Sequence, residues 1–447
     1  MNTPARPFAA PTHRSEPAVR CPPVPPDGPI PAAEPSCEPL SEHAPGPPPS
    51  LGAPARTTGG PTAPPAPGAR PAPPALAAPP GARPPSLLSP GVARDPYPVF
   101  RLLRESHPLA RDELLGAWAV SRYEDVWRAL VRPWLVAPPP GRTLVHLEGA
   151  THLAHRALVE PGVRGRALAA LAGGVSRGAH VLARRIAAHR EADLVAEFCR
   201  WLPTAAVVSA LGLPHEDAAR VHAWCYGGLT HLGGHHHDLD ACLRPHLARR
   251  RERPGDDLLS VLCTAEVDER PLSDSTVTGL VGALLGGGGD ATALALGSFL
   301  ANLLDHPDTL ALVRERPELT PAAWAESLRR DPPAPVVLRR AIRPVVVAGA
   351  PLPAGAVVAC LVGAAGRDPA RFADPDRYDI LRTDQGGLAF GAGRHSCLGA
   401  ELAGRVAAYG LHALLDAMPG MRWAPGFRPA PQGLLTRGPR SLLVRPG

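Results

Sequence analysis

The 447-residue sequence contains no lysine, so all 47 basic residues are arginine, and aromatic residues account for only 4% of the chain. No basic stretch is interleaved with aromatic residues, which leaves binding of nucleic acid without support. No uninterrupted apolar stretch reaches the length of a membrane span, and we therefore expect no contact with a membrane.

Cysteine is also scarce. The eight cysteines form no Cys-x-x-Cys pair and show no regular spacing of the kind that a disulfide framework has. The N-terminal stretch lacks the charged segment and the apolar run of a secretory signal. These features predict reduced thiols in a cytoplasmic protein.

Proline is abundant, but 29 of the 59 prolines lie in residues 1–90. That stretch has few large apolar residues, so it cannot bury enough surface to offset its chain entropy. Residues 1–87 are predicted to form a disordered extension with polyproline II character, which acts as a spacer or binds a partner. Residues 88–447 are predicted to form one folded domain.

Helical periodicity dominates the predicted domain, and short strand-like segments flank the helices rather than alternate with them. This pattern predicts a mainly α fold with small β-sheets and argues against a doubly wound sheet. The predicted helices are 98–106, 123–130, 152–158, 166–189, 194–211, 216–229, 239–252, 273–305 and 321–330, and the predicted strands are 117–120, 344–347, 357–361 and 441–444.

The segment 390–399, FGAGRHSCLG, places two glycines ahead of a single cysteine, Cys397, and directly before an alanine-rich helical stretch. Glycine lets the backbone turn tightly, so peptide N–H groups can point at the sulfur and stabilise a thiolate. The dipole at the start of the helix favours the same anion. A cysteine in this setting is typical of a sulfur ligand to haem iron. The alternative is an inert buried cysteine in a loop.

The longest apolar stretch, 273–305, predicts a helix that is capped by Ser273 and long enough to cross a domain. Four glycines, 286–289, and Asp290 interrupt its middle. Each glycine inside a helix costs about 0.5–1 kcal/mol relative to alanine, which indicates a functional reason such as a flat ligand against bare backbone. The glycines also favour local unwinding, and Asp290 among apolar residues is a candidate proton carrier. A loop between two helices is the alternative, whereas a phosphate loop lacks its strand and its Gly-Lys-Ser/Thr.

Both segments resemble the cytochrome P450 superfamily. The cysteine segment matches the family's haem-ligand pattern, Phe-Gly-x-Gly-x-His-x-Cys-x-Gly, at every specified position: Phe390, Gly391, Gly393, His395, Cys397 and Gly399. The long helix resembles the family's distal helix, Ala/Gly-Gly-x-Asp/Glu-Thr, through Gly287, Gly288 and Asp290. Ala291 stands where the family has a threonine that helps to deliver protons to dioxygen, and Thr292 follows it.

The resemblance implies a role for each matching residue. Cys397 is expected to be the axial thiolate ligand of haem b, with the Phe390, Gly391, Gly393 and Gly399 positions shaping its loop. Gly287 and Gly288 are expected to lie over the haem, and Asp290, with Thr292 as a helper, is expected to supply protons. The residues expected to meet the two haem propionates are His152, Arg156, Arg339 and His395.

Glu326 and Arg329 stand three residues apart on a predicted helix, where their side chains can face each other. Such pairs are usually solvated surface ion pairs. Their position ahead of Cys397 resembles the family's Glu-x-x-Arg helix, which implies a structural pair, with Arg377 of the segment 366–379 as its usual partner. His231 and the histidines 235–237 are interpreted as an exposed loop, because adjacent histidines cannot all face one metal ion.

The resemblance covers residues 90–447 and implies a haem-thiolate monooxygenase that oxidises a small organic substrate with O2. Electrons are expected from NAD(P)H through a separate ferredoxin and ferredoxin reductase, because the chain shows no flavin or nicotinamide module. Two alternatives stay open. One is a haem protein with atypical or lost oxygenase activity, a ligand binder or an accessory partner, which Ala291 and the short segments 134–152 and 229–239 suggest. The other is an interaction protein without haem, led by its proline-rich tail.

Overall fold

The computed structural model describes residues 84–138, 143–226 and 237–447, all of which lie in one unit, Ser50–Gly447. Most of the predicted N-terminal extension and most of the predicted histidine loop lie outside these ranges. The α-helices in the described ranges are α1 (Tyr97–Ser106), α2 (Tyr123–Val131), α3 (Gly149–Val159), α4 (Gly165–Ala187), α5 (Trp201–Leu211), α6 (Ala218–Tyr226), α7 (His237–Glu252), α8 (Leu258–Thr264), α9 (Asp274–Leu285), α10 (Thr292–Asp305), α11 (Pro307–Glu315), α12 (Thr320–Arg330), α13 (Val362–Ala365) and α14 (Ala400–Ala417). The β-strands are β1 (Leu109–Asp112), β2 (Ala117–Val120), β3 (Leu135–Val136), β4 (Ala192–Asp193), β5 (Glu266–Val267), β6 (Arg270–Pro271), β7 (Val337–Ala341), β8 (Val345–Val347), β9 (Ala350–Leu352), β10 (Val357–Cys360), β11 (Arg422–Trp423), β12 (Pro431–Gln432), β13 (Gly438–Pro439) and β14 (Leu443–Arg445).

The strands form small sheets beside the helices, which confirms the predicted mainly α architecture. The largest sheet has the strand order β1-β2-β10-β7-β3, and within it β2 and β10 pair in parallel while the other neighbours are antiparallel. A second sheet has the order β11-β14-β4 and joins the C-terminal strand to the strand after α4. The three remaining sheets in the described ranges are two-stranded. Helices therefore make up most of the fold, and the small sheets lie beside them.

The long predicted helix is one continuous rod. It runs through α9, a π-helical segment at Gly286–Ala291, and α10. Ser273 caps it, because its Oγ accepts a hydrogen bond from the backbone N–H of Thr276 at 3.2 Å. The predicted helix and its cap are confirmed, and the alternative of a loop between two helices is wrong. The π segment coincides with the glycines, where the backbone is free to adopt a wider turn.

The rod is long and apolar enough to satisfy the length and composition criteria for a membrane span, which the sequence had not led us to expect. Half of its most apolar window is buried inside the protein. There α9 packs against α5 and α7, and α10 packs against α12. This packing is that of a helix in the core of a folded domain.

The packed part of the chain begins ahead of the predicted boundary at residue 88. Leu87 is buried in an apolar cluster that includes Phe100. The carboxylate of Asp112 accepts hydrogen bonds from Ser86 Oγ and from the backbone N–H of Leu87, both at 2.7 Å. Ser86 and Leu87 therefore belong to the folded body.

Candidate functional site

The loop that carries Cys397 is a tight turn ahead of α14. Gly391 and Gly393 both have φ near +70°, a conformation that residues with a Cβ rarely adopt. The backbone N–H of Cys397 donates to the carbonyl of Phe390 at 2.9 Å and closes the turn. The same turn leaves room for nothing larger at Gly393, where a Cβ would lie 3.2 Å from Val131 Cγ1 of α2. The two glycines are therefore needed for the loop to form.

Cys397 differs from the other cysteines in the described part of the chain, because its side chain is exposed while theirs are buried. Burial by the surrounding loop nevertheless raises the pKa of its thiol. The backbone N–H groups of Gly399 and Ala400 and the guanidinium of Arg156 act against this effect of burial and lower the pKa. The thiol is thus accessible, and the backbone N–H groups of Gly399 and Ala400 favour its thiolate form.

His395 is held by a residue that the sequence analysis missed. Its Nε2 lies 3.0 Å from Glu148 Oε1, and Arg394 Nε donates to Glu148 Oε2 at 2.8 Å. Glu148 is the N-cap residue of α3, one turn before His152. The rings of His152 and His395 lie 4.3 Å apart. The only signal in the sequence was an acidic residue ahead of the predicted helix, where such residues commonly serve the helix alone.

Arg156 also contacts the cysteine loop directly. Its Nη1 donates to the backbone carbonyls of Arg394 at 3.2 Å and Ser396 at 2.9 Å. These bonds tie α3 to the loop from both sides of His395. Arg156 was predicted as a propionate ligand, and the structure gives it this structural contact as well.

Two buried polar groups have unused hydrogen-bonding capacity. His152 is 1% exposed, and its Nδ1 has no hydrogen-bond partner. Arg339 is 7% exposed, and its guanidinium donates to the carbonyl of its own neighbour, Leu338, at 3.0 Å. Within the described ranges no carboxylate lies within salt-bridge distance of Arg339, and burial lowers its pKa. Because buried polar groups are nearly always satisfied, both groups are suited to bind an anionic group such as a haem propionate.

The glycine segment of the rod presents two different faces. A Cβ on Gly286 or Gly287 would meet no atom within 4 Å, so these residues border open space. A Cβ on Gly288 would lie 2.5 Å from Val207 Cγ2, and one on Gly289 would lie 3.1 Å from Cys225 Sγ. The prediction for Gly287 fits the open face. The prediction for Gly288 needs correction, because Gly288 is required for contact with α5 and Gly286 takes its place on the open side.

Asp290 and Thr292 were predicted to act together, but the two side chains differ in burial. Asp290 is half-buried, and burial raises the pKa of its carboxyl while the charge of Arg200 opposes the rise. Thr292 is buried. Ala291, which stands between them, is half-buried and brings no hydroxyl. A carboxyl with a raised pKa is suited to hold a proton closer to neutral pH.

Glu326 and Arg329 form a fully buried ion pair, as the resemblance implied and unlike a solvated surface pair. Arg329 Nε donates to Glu326 Oε2 at 2.7 Å, and both side chains are 0% exposed. Arg329 also donates to the carbonyls of Gly366 at 2.6 Å and Pro375 at 2.8 Å, which anchors α12 to the segment ahead of the cysteine loop.

Arg377 is a partner of this pair, as the resemblance implied. Arg377 joins through its backbone, since its carbonyl accepts from Arg329 Nη2 at 3.2 Å. The second guanidinium that reaches Glu326 belongs to Arg382, whose Nε lies 3.4 Å from Glu326 Oε1. Arg382 was not predicted, and its place became clear only from how the segment folds back.

No group of three or more histidine, cysteine, aspartate or glutamate side chains in the described ranges is placed to hold a metal ion. A single cysteine ligand of the kind expected for haem iron is outside such a group. Of the predicted histidine loop, His231, His235 and His236 lie outside the described residues.

Comparisons of the sequence and of the fold with known proteins point to one family. The family model for Cytochrome P450 matches residues 235–417. Pulcherriminic acid synthase from Bacillus subtilis is 31% identical over 392 residues, which cover 80% of this chain and 97% of that protein. Mycinamicin IV hydroxylase/epoxidase from Micromonospora griseorubida is 32% identical over 382 residues, which cover 76% and 93%.

Solved structures show the same fold. The structure of CYP109E1 from Bacillus megaterium in complex with corticosterone matches with a TM-score of 0.73 at 27% identity, covering 79% of this chain and 98% of that one. These likenesses span nearly the whole length of the relatives, so the alternative of an interaction protein without haem is wrong. The chain belongs to the cytochrome P450 family, whose enzymes are haem-thiolate monooxygenases.

Proposed function

We propose that this protein inserts one atom of dioxygen into a small organic molecule, with Cys397 as the axial thiolate ligand of haem b. The observation that carries the proposal is the setting of Cys397. It has an exposed side chain at the start of α14, with the backbone N–H groups of Gly399 and Ala400 directed at its sulfur. The names of relatives that hydroxylate or epoxidise their substrates support the same class of reaction here.

The described residues fit a bound haem. Arg339, His152 and His395 would hold its propionates, since the first two lack a charged partner and the third lies beside them. Gly286 and Gly287 would leave its distal face uncovered by side chains. When bound, the haem supplies an iron whose thiolate ligand donates electron density that favours cleavage of the O–O bond.

Asp290 is proposed as the residue that holds and releases a proton on the distal side. Its raised pKa follows from burial, so it keeps a proton at a higher pH than an exposed aspartate does. Thr292, the other candidate, is buried and follows Ala291 by one residue. We therefore give Thr292 at most a supporting part.

Electrons are proposed to come from NAD(P)H through a separate ferredoxin and ferredoxin reductase in the cytoplasm. The net charge of +6 supports an acidic electron donor, because opposite charges steer association. Reconstitution with a ferredoxin and its reductase tests this part independently of haem binding.

The first experiment is the absorption spectrum of the reduced protein with carbon monoxide. A Soret band near 450 nm is the family's expectation for a thiolate ligand. Cys397→Ser is expected to abolish that band, and Cys242→Ser, a buried cysteine on α7, is the matched control that keeps it. Persistence of the band in Cys397→Ser would falsify the ligand assignment.

A second candidate function rests on Ala291. Without a hydroxyl at this position, the protein could bind haem and a ligand yet fail to oxygenate, as a binder or an accessory partner. The two candidates differ in turnover. Stoichiometric formation of an oxygenated product with a reconstituted electron donor supports the first, and a normal 450 nm band without NADPH-driven oxygen consumption supports the second.

A further inference from the structure

The face of the rod that is turned away from the open side meets α5 and α6 at the glycine segment. Gly289 lies so close that a Cβ would be 3.1 Å from Cys225 Sγ and 3.8 Å from Thr204 Oγ1. Gly288 lies even closer to α5, since a Cβ there would be 2.5 Å from Val207 Cγ2. The lack of side chains at these two positions lets α5 and α6 reach the backbone of the π segment.

Because of this close packing, Tyr226 at the end of α6 contacts the backbone of the π segment. Its hydroxyl lies 3.1 Å from the carbonyl oxygen of Gly289 and 3.1 Å from that of Arg200. Since a phenol has one proton, it donates to one of these carbonyls at a time and can accept a bond from another hydroxyl. Thr204 Oγ1 donates its one proton to the Arg200 carbonyl at 2.8 Å, so it donates to the Tyr226 hydroxyl only when it releases that carbonyl.

The ring of Tyr226 is held in place by its neighbours. The guanidinium carbon of Arg200 lies 5.3 Å from the ring centroid, and the ring of His222 lies 4.8 Å away. His222 itself stacks on Trp201 at 3.9 Å. The phenol therefore has a fixed direction, with its hydroxyl aimed at the π segment.

Asp290 follows directly after the carbonyl that Tyr226 contacts. The ionisable groups of the packed helices that interact electrostatically with Asp290 are Arg200, Tyr226 and Cys225. His222 stands behind Tyr226 with a buried Nε2 that has no hydrogen-bond partner. The Tyr226 hydroxyl thus contacts the carbonyl of Gly289, the residue that immediately precedes Asp290.

Ala291 explains why such a hydroxyl is needed. A threonine in a helix can bond the carbonyl one turn back, which here is that of Gly287. Alanine at 291 leaves the segment without this internal bond. Tyr226 provides a hydroxyl to a carbonyl of the same segment from a different helix.

We propose that Tyr226 is a positioning residue for Asp290, whose hydroxyl, bonded to the Gly289 carbonyl, holds the π segment so that the Asp290 carboxyl is kept in its half-buried place. It supplies from α6 a bond between a hydroxyl and a carbonyl of the π segment, which Ala291 cannot form. This inference rests on the proposed function, in which Asp290 holds the distal proton.

The test uses the full-length, haem-loaded protein with NADPH and a surrogate ferredoxin and reductase. Tyr226→Phe removes the hydroxyl but keeps the ring against Arg200 and His222. Asp290→Asn serves as the reference, and Tyr409→Phe, the same chemical change on α14, serves as the control. Two quantities are measured: the hydrogen peroxide released per NADPH consumed, and the pH at which the infrared band of the Asp290 carboxyl titrates, identified by its loss in Asp290→Asn.

Tyr226→Phe is expected to raise the peroxide share about two- to fivefold, because proton delivery is impaired. It should also lower the titration midpoint of the carboxyl by about half a pH unit or more, because water gains access to it. Adding Ala291→Thr to Tyr226→Phe should restore the low peroxide share. Tyr409→Phe should change neither quantity.

The possible failures are distinguishable. If Tyr226→Phe matches the wild type in both quantities while Asp290→Asn does not, the positioning role is wrong and the proposed function stands. Failure of Ala291→Thr to restore the peroxide share contradicts the claim that the two hydroxyls are interchangeable. If Asp290→Asn changes nothing, the proton role of Asp290 and this inference fall together. Absence of the 450 nm band overturns the proposed function itself.

Discussion

Arg329 Nε lies 2.7 Å from Glu326 Oε2, and neither side chain reaches solvent. The carboxylate also accepts from the backbone N–H of Asp379 at 2.9 Å, so the pair is embedded in further hydrogen bonds. A buried pair of this kind is costly to break, because removal of one partner leaves an uncompensated charge in the interior. The pair therefore anchors α12 to the segment that leads to the cysteine loop.

Arg329→Ala is expected to lower the free energy of unfolding by about 3–5 kcal/mol, since the buried Glu326 loses its closest cation and keeps only Arg382 at 3.4 Å. Chemical denaturation followed by circular dichroism measures this change. Arg128→Ala breaks an exposed pair with Glu124 on α2, in which Arg128 is 61% exposed, and should cost no more than about 1 kcal/mol. Equal losses in the two variants would show that burial of the pair does not matter.

Arg339→Gln is expected to weaken retention of haem, because a charge-assisted hydrogen bond to a propionate contributes about 1.5–3 kcal/mol, or roughly ten- to a hundredfold. The rate of haem transfer to an excess of a haem-scavenging apoprotein measures the effect without any turnover. Arg340→Gln, the exposed neighbour on β7, is the control that should leave the rate unchanged. A transfer rate for Arg339→Gln within twofold of that control would remove Arg339 from the haem site.

Gly286→Ala and Gly288→Ala should have opposite effects on stability. A Cβ at residue 286 meets no atom within 4 Å, whereas one at residue 288 would lie 2.5 Å from Val207 Cγ2. Gly286→Ala is expected to raise the free energy of unfolding by about 0.5–1 kcal/mol through helix propensity. Gly288→Ala is expected to lower it by about 1–3 kcal/mol through overpacking. Thermal unfolding of both variants checks the two signs, and a stabilising Gly288→Ala would mean that α5 does not pack as described.

The stability of the fold should fall in acid partly through Asp331. Arg367 Nη2 lies 2.7 Å from Asp331 Oδ1, and this neighbouring charge helps to lower the pKa of the carboxyl to about 2 against the cost of its burial. A carboxyl with a lowered pKa stabilises the folded protein above its unfolded pKa, near 4, and this contribution is lost as the pH falls toward 2. At pH 7 it is on the order of 2–3 kcal/mol.

Asp331→Asn tests this expectation. The variant should be less stable than the wild type at pH 7, and the difference should shrink as the pH is lowered from 4 toward 2. Denaturant midpoints at a series of pH values measure it. A difference that stays constant over this range would show that Asp331 acts through packing rather than through its charge.

Several features of this protein follow from contiguous stretches of sequence. The segment 390–399 specifies a glycine turn before a cysteine and a helix start, and the structure has that turn. The stretch 273–305 specifies a capped helix with a weak centre, and the structure has a helix with a π segment at the glycines. Local rules were sufficient in both cases, because turn and helix geometry depend on residues within a few positions of each other.

Other features depended on packing between distant parts of the chain. Glu148 reaches His395 across 247 positions, Tyr226 reaches Gly289 across 63, and Arg382 rather than the side chain of Arg377 reaches Glu326. Which of the four glycines face open space was likewise decided by the approach of α5 and α6. The sequence by itself thus determined the glycine turn before Cys397, the long helix and the family. Only the tertiary structure decided which side chains surround them, because the faces that meet are set by how the helices pack and not by the local pattern of either one.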